Sequence, residues 1–378
     1  MKITRITSYE VIVPAKEGAI ESKGLNKPLH KLPVGAKAGW TIQFDQLPKL
    51  IIKLELDSGI IGWGELYRSH SWPVVEDIIN ILLGRNIDEL ILQKLPFSFC
   101  REYDGFECAI WDAYAKAHNM RVVDLLGGPL RTRVKAGAWS SFRNSEDIEN
   151  LAVSVQNQGY DCLKFKCDLE ADVTRWSQII ADAAPGLQII LDPNERWEFS
   201  HETRRRIDSL KEIGNILCLE DPVPRWKLHD YCRLRTYSSI AIVLHVALPY
   251  IEHGQRISDA IQAIQLQAVD GFNFNCGLAD FQKLDHIASS SHLPCWHGSE
   301  VDLGILEAMY VHSAAAASSC IWPSDIFGRL IRQHDLLKNP LRLEPPYVYL
   351  PEDLGLGIEP DEEAIAYYQT TKKEYHYS

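Results

Sequence analysis

Apolar residues recur at every second position near the N-terminus, in ITRITSYEVIVP and again in LIIKLELDSGIIGWGEL, and this period of two predicts strands. Asp57, Ser58 and Gly59 interrupt the second run and predict a turn, so its two halves should form an antiparallel meander. Between these strands lies AKEGAIESKGLNKPLHKLPVGAKAGW, rich in Gly, Lys and Pro and without any period. A loop of that length in a compact domain usually serves as a lid or a binding loop. The period then changes to the helical one in PVVEDIINILLG and FECAIWDAYAKAHNM.

From about residue 132 short apolar runs alternate with amphipathic stretches. VKAGAW, CLKFK, LQIILD, NILCLED, IAIVLH, DGFNFN and LPCWHG are each followed by a helical pattern. The repeat of about 20 to 30 residues is the length of one strand and one helix, and such units imply parallel strands with right-handed crossovers. An open doubly wound sheet would carry a glycine-rich phosphate loop after an early strand, and no G-x-G-x-x-G occurs. The expected fold is therefore an α/β barrel of the (β/α)8 type. The expected domains are an α+β cap over residues 1–128, a barrel over 129–325, and a tail over 326–378 that packs back on the cap.

A formal net charge of -12 argues against nonspecific binding to nucleic acid or to an anionic membrane, since both need clustered positive charge. The nine cysteines are odd in number and include no C-x-x-C pair, which fits small buried hydrophobes in a reducing compartment. No signal peptide or membrane span is visible, so the cytoplasm is the expected location.

In a barrel the carboxyl ends of the strands converge on one face, where chemistry sits. Reading only those ends gives Lys164 and Lys166, Asp192 and Asn194, Glu220, His245, Asn275, and His297 with Glu300. Two carboxylates on neighbouring strands can hold a hard cation such as Mg2+. Lys164 and Lys166 are two apart and share a strand face. A free lysine titrates near ~10.4 and is no base at neutral pH, but burial and a second ammonium both lower that value. Taken singly, these residues have plainer readings. Asp192 before Pro193 suits a turn, Asn275 a strand end, and His245 a packed core position.

In combination, Lys-x-Lys on the second barrel strand, Asp-x-Asn on the third, Glu-Asp-Pro on the fourth and a histidine on the seventh resemble the enolase superfamily, in its mandelate racemase and muconate-lactonising branch. The resemblance covers nearly the whole chain. It implies a (β/α)8 barrel, or its (β/α)7β variant, under an α+β cap. It implies Lys166 as base on one substrate face with Lys164 its electrostatic neighbour, Asp192 and Glu220 as magnesium ligands, and His297 as acid or base on the other face. The long loop would be the lid, with His30, Lys31 and Trp40 reading the distal end of the substrate.

Two positions depart from that pattern. The third carboxylate ligand expected on the fifth strand aligns with Val246, leaving His245 as its candidate replacement, and a histidine ligand would admit Mn2+ or another softer ion. Asn275 stands on the sixth strand, where the pattern has an aspartate that orients the histidine, or a lysine. The expected reaction is abstraction of the proton α to a carboxylate, and the favoured outcome is dehydration of a sugar acid by a homo-oligomeric enzyme. Racemisation or epimerisation, lactone cycloisomerisation, and a catalytically lapsed barrel that only binds are the alternatives.

Overall fold

The computed structural model describes residues 1–23, 25, 48–68, 70–247 and 255–377. His30, Lys31 and Trp40, and with them most of the expected lid, lie outside the described residues. The chain starts with strands β1 (Ile3–Val11), β2 (Lys49–Leu56) and β3 (Ile61–Leu66), followed by helices α1 (Trp72–Leu82) and α2 (Tyr103–Ala117). β2 and β3 are antiparallel neighbours joined through Gly59 at φ +82°, the predicted turn. Helix α2 lies almost in contact with the backbone of β3. A Cβ at Gly62 would stand 2.1 Å from the Ala109 carbonyl oxygen, and one at Gly64 equally close to that of Gly105. Only glycine permits that approach.

A short helix α3 (Val122–Leu125) and strand β4 (Arg133–Lys135) lead into the barrel. Its strands are β5 (Ala138–Ser140), β6 (Cys162–Lys166), β7 (Gln188–Asp192), β8 (Ile216–Glu220), β9 (Ala241–Ala247), β10 (Gly271–Asn275) and β11 (Cys295–His297). Helices α4 (Ser145–Asn157), α5 (Val173–Ala183), α6 (Ser200–Leu210), α7 (Leu228–Tyr237), α8 (Arg256–Gln265), α9 (Leu278–Ser290) and α10 (Gly304–Ala316) follow them in turn. Every strand pair is parallel, in sequential order from β5 to β11. Parallel bridges from Cys295 to Cys320 and from Ala136 to Ser324 close the ring through residues 320–324, so the eighth staves are short and the last helix of a full (β/α)8 barrel is replaced.

The tail forms α11 (Gly328–Ile331), β12 (Leu343–Glu344), β13 (Tyr347–Tyr349), α12 (Glu362–Tyr368) and β14 (Gln369–His376). β14 adds to the cap sheet beside β1, while β13 pairs with β4, just ahead of the first barrel strand.

Two apolar layers surround the barrel wall. Cys162, Ile190, Cys218, Val243 and Trp296 pack inside the ring. Leu163, Phe165, Leu191, Leu244, Val246, Phe272 and Phe274 point outward to the helices. These two sets fix which parity of each strand faces the interior.

Candidate active site

Lys164 and Lys166 share the parity of Cys162 and so face the interior, at the carboxyl end of β6. Asp192 ends β7 opposite Lys166, and Glu220 ends β8. The Lys166 Nζ lies 2.5 Å from Asp192 Oδ2. The Lys164 Nζ is shared by Glu220 Oε2 at 2.6 Å, Asp325 Oδ2 at 2.9 Å and Asp192 Oδ2 at 3.5 Å. All five groups are buried.

This environment separates the two lysines. Burial by itself lowers the Lys164 pKa, but Asp325, Glu220 and Asp192 together outweigh it and hold the value well above the ordinary lysine range. For Lys166 burial wins: with the help of the Lys164 charge it pulls the pKa down, against the attraction of Asp192. One ammonium is thus a fixed charge and the other is the easier to deprotonate.

His245 settles the question of the fifth strand. It pairs in register with Asn273 and has the inward parity of Val243, whereas Val246 is buried against the helices. The expectation that Val246 occupies the ligand position is corrected: no bulge is needed, and His245 is itself the inward residue. Its Nδ1 lies 3.2 Å from Glu220 Oε1. Burial pushes its pKa down to about 4, which leaves a neutral imidazole able to donate a lone pair. Asp221 also stands near, its ligand atoms within 4.8 Å of those of Glu220 and His245. Its oxygens are already engaged by Arg225 Nε at 2.5 Å, Tyr231 OH at 3.1 Å and the His245 backbone N–H at 2.9 Å, so it braces the site from behind.

His297 is placed differently from the sequence expectation. Trp296 takes the inward position on β11, and the next residue must therefore point out. The His297 ring is stacked between Phe281 on α9, with centroids 4.4 Å apart, and Tyr310 on α10 at 4.0 Å. It is fully buried, its Nδ1 meets the Gly298 carbonyl oxygen at 2.8 Å, and burial drives its pKa down to about 4. The structure does not bring His297 to the lysines. Asn275 faces inward opposite Ala247, on the other parity from His297, and its side-chain amide makes no bond to that ring.

Glu300 is anchored by Arg101, with Arg68 Nε at 3.3 Å, and joins the barrel loop after β11 to the cap. A second link lies beside it. Lys49 bonds Asp302 and lies 3.1 Å from Glu65, whose carboxylate accepts the backbone N–H groups of Leu303 and Leu306 at the start of α10.

A divalent cation can be tested against these residues through the polar atoms they leave unmet. Both side-chain polar atoms of Asn194 and of Asn275, Nε2 of His245 and Asn273 Oδ1 are buried without a hydrogen-bond partner. Orphaned groups on this scale are expensive unless a ligand meets them. Two carboxylates and a neutral imidazole on three adjacent strand ends are donor types that suit a divalent cation; the ligand atoms of Glu220 and His245 lie within 4.8 Å of each other, while Asp192 on the neighbouring strand has its Oδ2 held by Lys166.

Two residues escaped the sequence reading. Asn273 donates to Glu220 Oε1 at 2.8 Å, and its position two before Asn275 already carried that parity. Asp325 follows the eighth stave, where WPSDIFG shows no strand pattern.

The family model for the enolase C-terminal domain-like family matches residues 147–364. The chain is 25% identical to o-succinylbenzoate synthase of Bacillus subtilis, over 85% of this chain and 89% of that protein. It is 24% identical to N-succinyl-L-Arg/Lys racemase of Bacillus cereus over 97% of both. The crystal structure of that racemase superposes with a TM-score of 0.83 at 22% identity, covering all of both chains. D-xylonate dehydratase of Haloferax volcanii is 23% identical over 84% of each. With its strand-end lysines, acids and parallel barrel, the chain belongs to the enolase superfamily, in the mandelate racemase and muconate-lactonising branch.

Proposed function

We propose that this protein removes the proton α to a carboxylate of a small acid, with Lys166 as the base, and that the outcome is dehydration of a sugar acid. The observation that carries this reading is the lysine pair set against Asp192 and Glu220, with one ammonium held charged and its neighbour eased toward neutrality. A divalent cation held by Asp192, Glu220 and His245 would stabilise the negative charge that develops on the substrate carboxylate.

Lys166 takes the α-proton into its lone pair, and the electrons of the broken C–H bond move onto the carboxylate. When they return to form the C=C bond, the β-hydroxyl leaves and takes the proton back from Lys166 as water. The enol product then becomes a 2-keto acid. This same-face route needs one acid–base residue. It is favoured because, among the described residues, the far side of the mouth offers amides in Asn273 and Asn275 and a histidine beside Glu220, while His297 is turned away. Asn194, Asn273 and Asn275 supply unmet amide atoms for substrate hydroxyls.

The test is a panel of sugar acids incubated with Mg2+, followed by 2-keto acid formation and by α-deuterium uptake from D2O. Keto acid formation that is lost in Lys166→Met is expected. Deuterium uptake or epimerisation without keto acid would replace dehydration by racemisation, and inertness toward every acid would leave a binding protein.

A further inference from the structure

Glu220 is claimed twice. Its Oε1 receives the Asn273 amide at 2.8 Å and lies 3.2 Å from His245. Its Oε2 is buried, has no partner in hydrogen-bond geometry, and stands 2.6 Å from the Lys164 ammonium. A cation between Asp192, Glu220 and His245 would have to draw on the same Oε2, and an ammonium and a divalent ion that close repel each other. Lys164 therefore needs another anion, within reach of its present position and outside the cation's donor set.

Asp325 meets both conditions. Its Oδ2 is 2.9 Å from Lys164 Nζ and is braced by Trp296 Nε1 at 3.4 Å. The Lys164 ammonium also lies 5.5 Å from the Trp296 ring centroid, on the eighth-stave side of the mouth. Asp325 is buried, while Asp192 is already shared with Lys166.

We propose that Asp325 is a positioning residue that holds the Lys164 ammonium away from Glu220 and so leaves Glu220 Oε2 free for a divalent cation. The inference rests on the reading of Glu220 as a cation ligand. It also accounts for charge: the carboxylate missing from the cation's ring, where His245 stands, is present at Asp325 on the far side of Lys164. In Asp325→Asn the lysine would fall back on Glu220 and compete with the ion.

The experiment is a calorimetric titration of Mg2+ and Mn2+ into the wild-type protein, Asp325→Asn, Lys164→Met and the double variant, without substrate. Cation affinity should fall at least about tenfold in Asp325→Asn, a loss of roughly 1.4 kcal/mol. It should not fall in Lys164→Met, and the double variant should match Lys164→Met, because nothing is left to compete. Equal affinity of wild type and Asp325→Asn overturns the inference while leaving the cation site intact. A loss that persists in the double variant also overturns it, since Asp325 would then act by its own charge or by supporting the fold. No binding by the wild-type protein overturns the cation reading itself, and this inference with it.

Discussion

Replacing His297 by asparagine separates a stacked core histidine from an acid–base residue. The ring loses two aromatic neighbours, Phe281 at 4.4 Å and Tyr310 at 4.0 Å, while the shorter amide can still donate to the Gly298 carbonyl. Each aromatic contact contributes about 0.5–1.5 kcal/mol. With the void that a smaller side chain leaves in a fully buried site, the total loss should be about 2–4 kcal/mol. Urea denaturation reads that loss directly. Proton exchange should respond in the opposite sense. In D2O, with whichever acid the wild-type protein exchanges, His297→Asn should retain the rate within a factor of a few once the folded fraction is matched. Lys166→Met should lose roughly 10²–10⁴-fold, the usual contribution of a general base. The parity argument fails if His297→Asn keeps its urea midpoint and loses exchange a hundredfold, because a stacked residue facing the helices cannot produce that pattern.

His245→Asp restores a carboxylate at the inward position of β9 and should tighten Mg2+ relative to Mn2+ and Zn2+ in competition titrations; an unchanged preference would mean that this side chain does not face the ion. Lys49→Met leaves the buried Glu65 and Asp302 without their shared cation, which should destabilise the protein by about 3–5 kcal/mol in urea; a change under about 1 kcal/mol would mean that the link between cap and α10 adds no stability. His312 is buried with Nδ1 accepting from the Val123 N–H and its pKa lowered to about 4 by burial. The unfolded histidine titrates near ~6.5, so between these values the unfolded chain binds the extra proton and stability falls as pH drops. From pH 7 to pH 5 the wild-type protein should therefore lose about 2 kcal/mol more than His312→Gln. Parallel losses in the two proteins would place the charged imidazole in the native state.

The period of two along each strand settled a great deal by itself. It put Lys164 and Lys166 on one face, and the repeating units of strand and helix led to a parallel barrel, because strand and helix periods are local properties of the chain. Period alone cannot say which face of a strand is the inside. Both faces of a parallel barrel strand are buried, so inward and outward positions are equally apolar and carry no label. That is why Trp296 and His297, or His245 and Val246, could be exchanged in reading, and why only packing decided them: Trp296 beside Cys162 and Cys218 in the interior, His297 between Phe281 and Tyr310. Asp325 depended on tertiary structure more completely. Its segment has no strand period, and it reaches Lys164, 161 positions away in sequence, because closure of the ring brings the last stave beside the first. The sequence by itself determined the residue types at the strand ends. The closed barrel decided which of them meet, since contact across a ring depends on curvature and register that no local pattern contains.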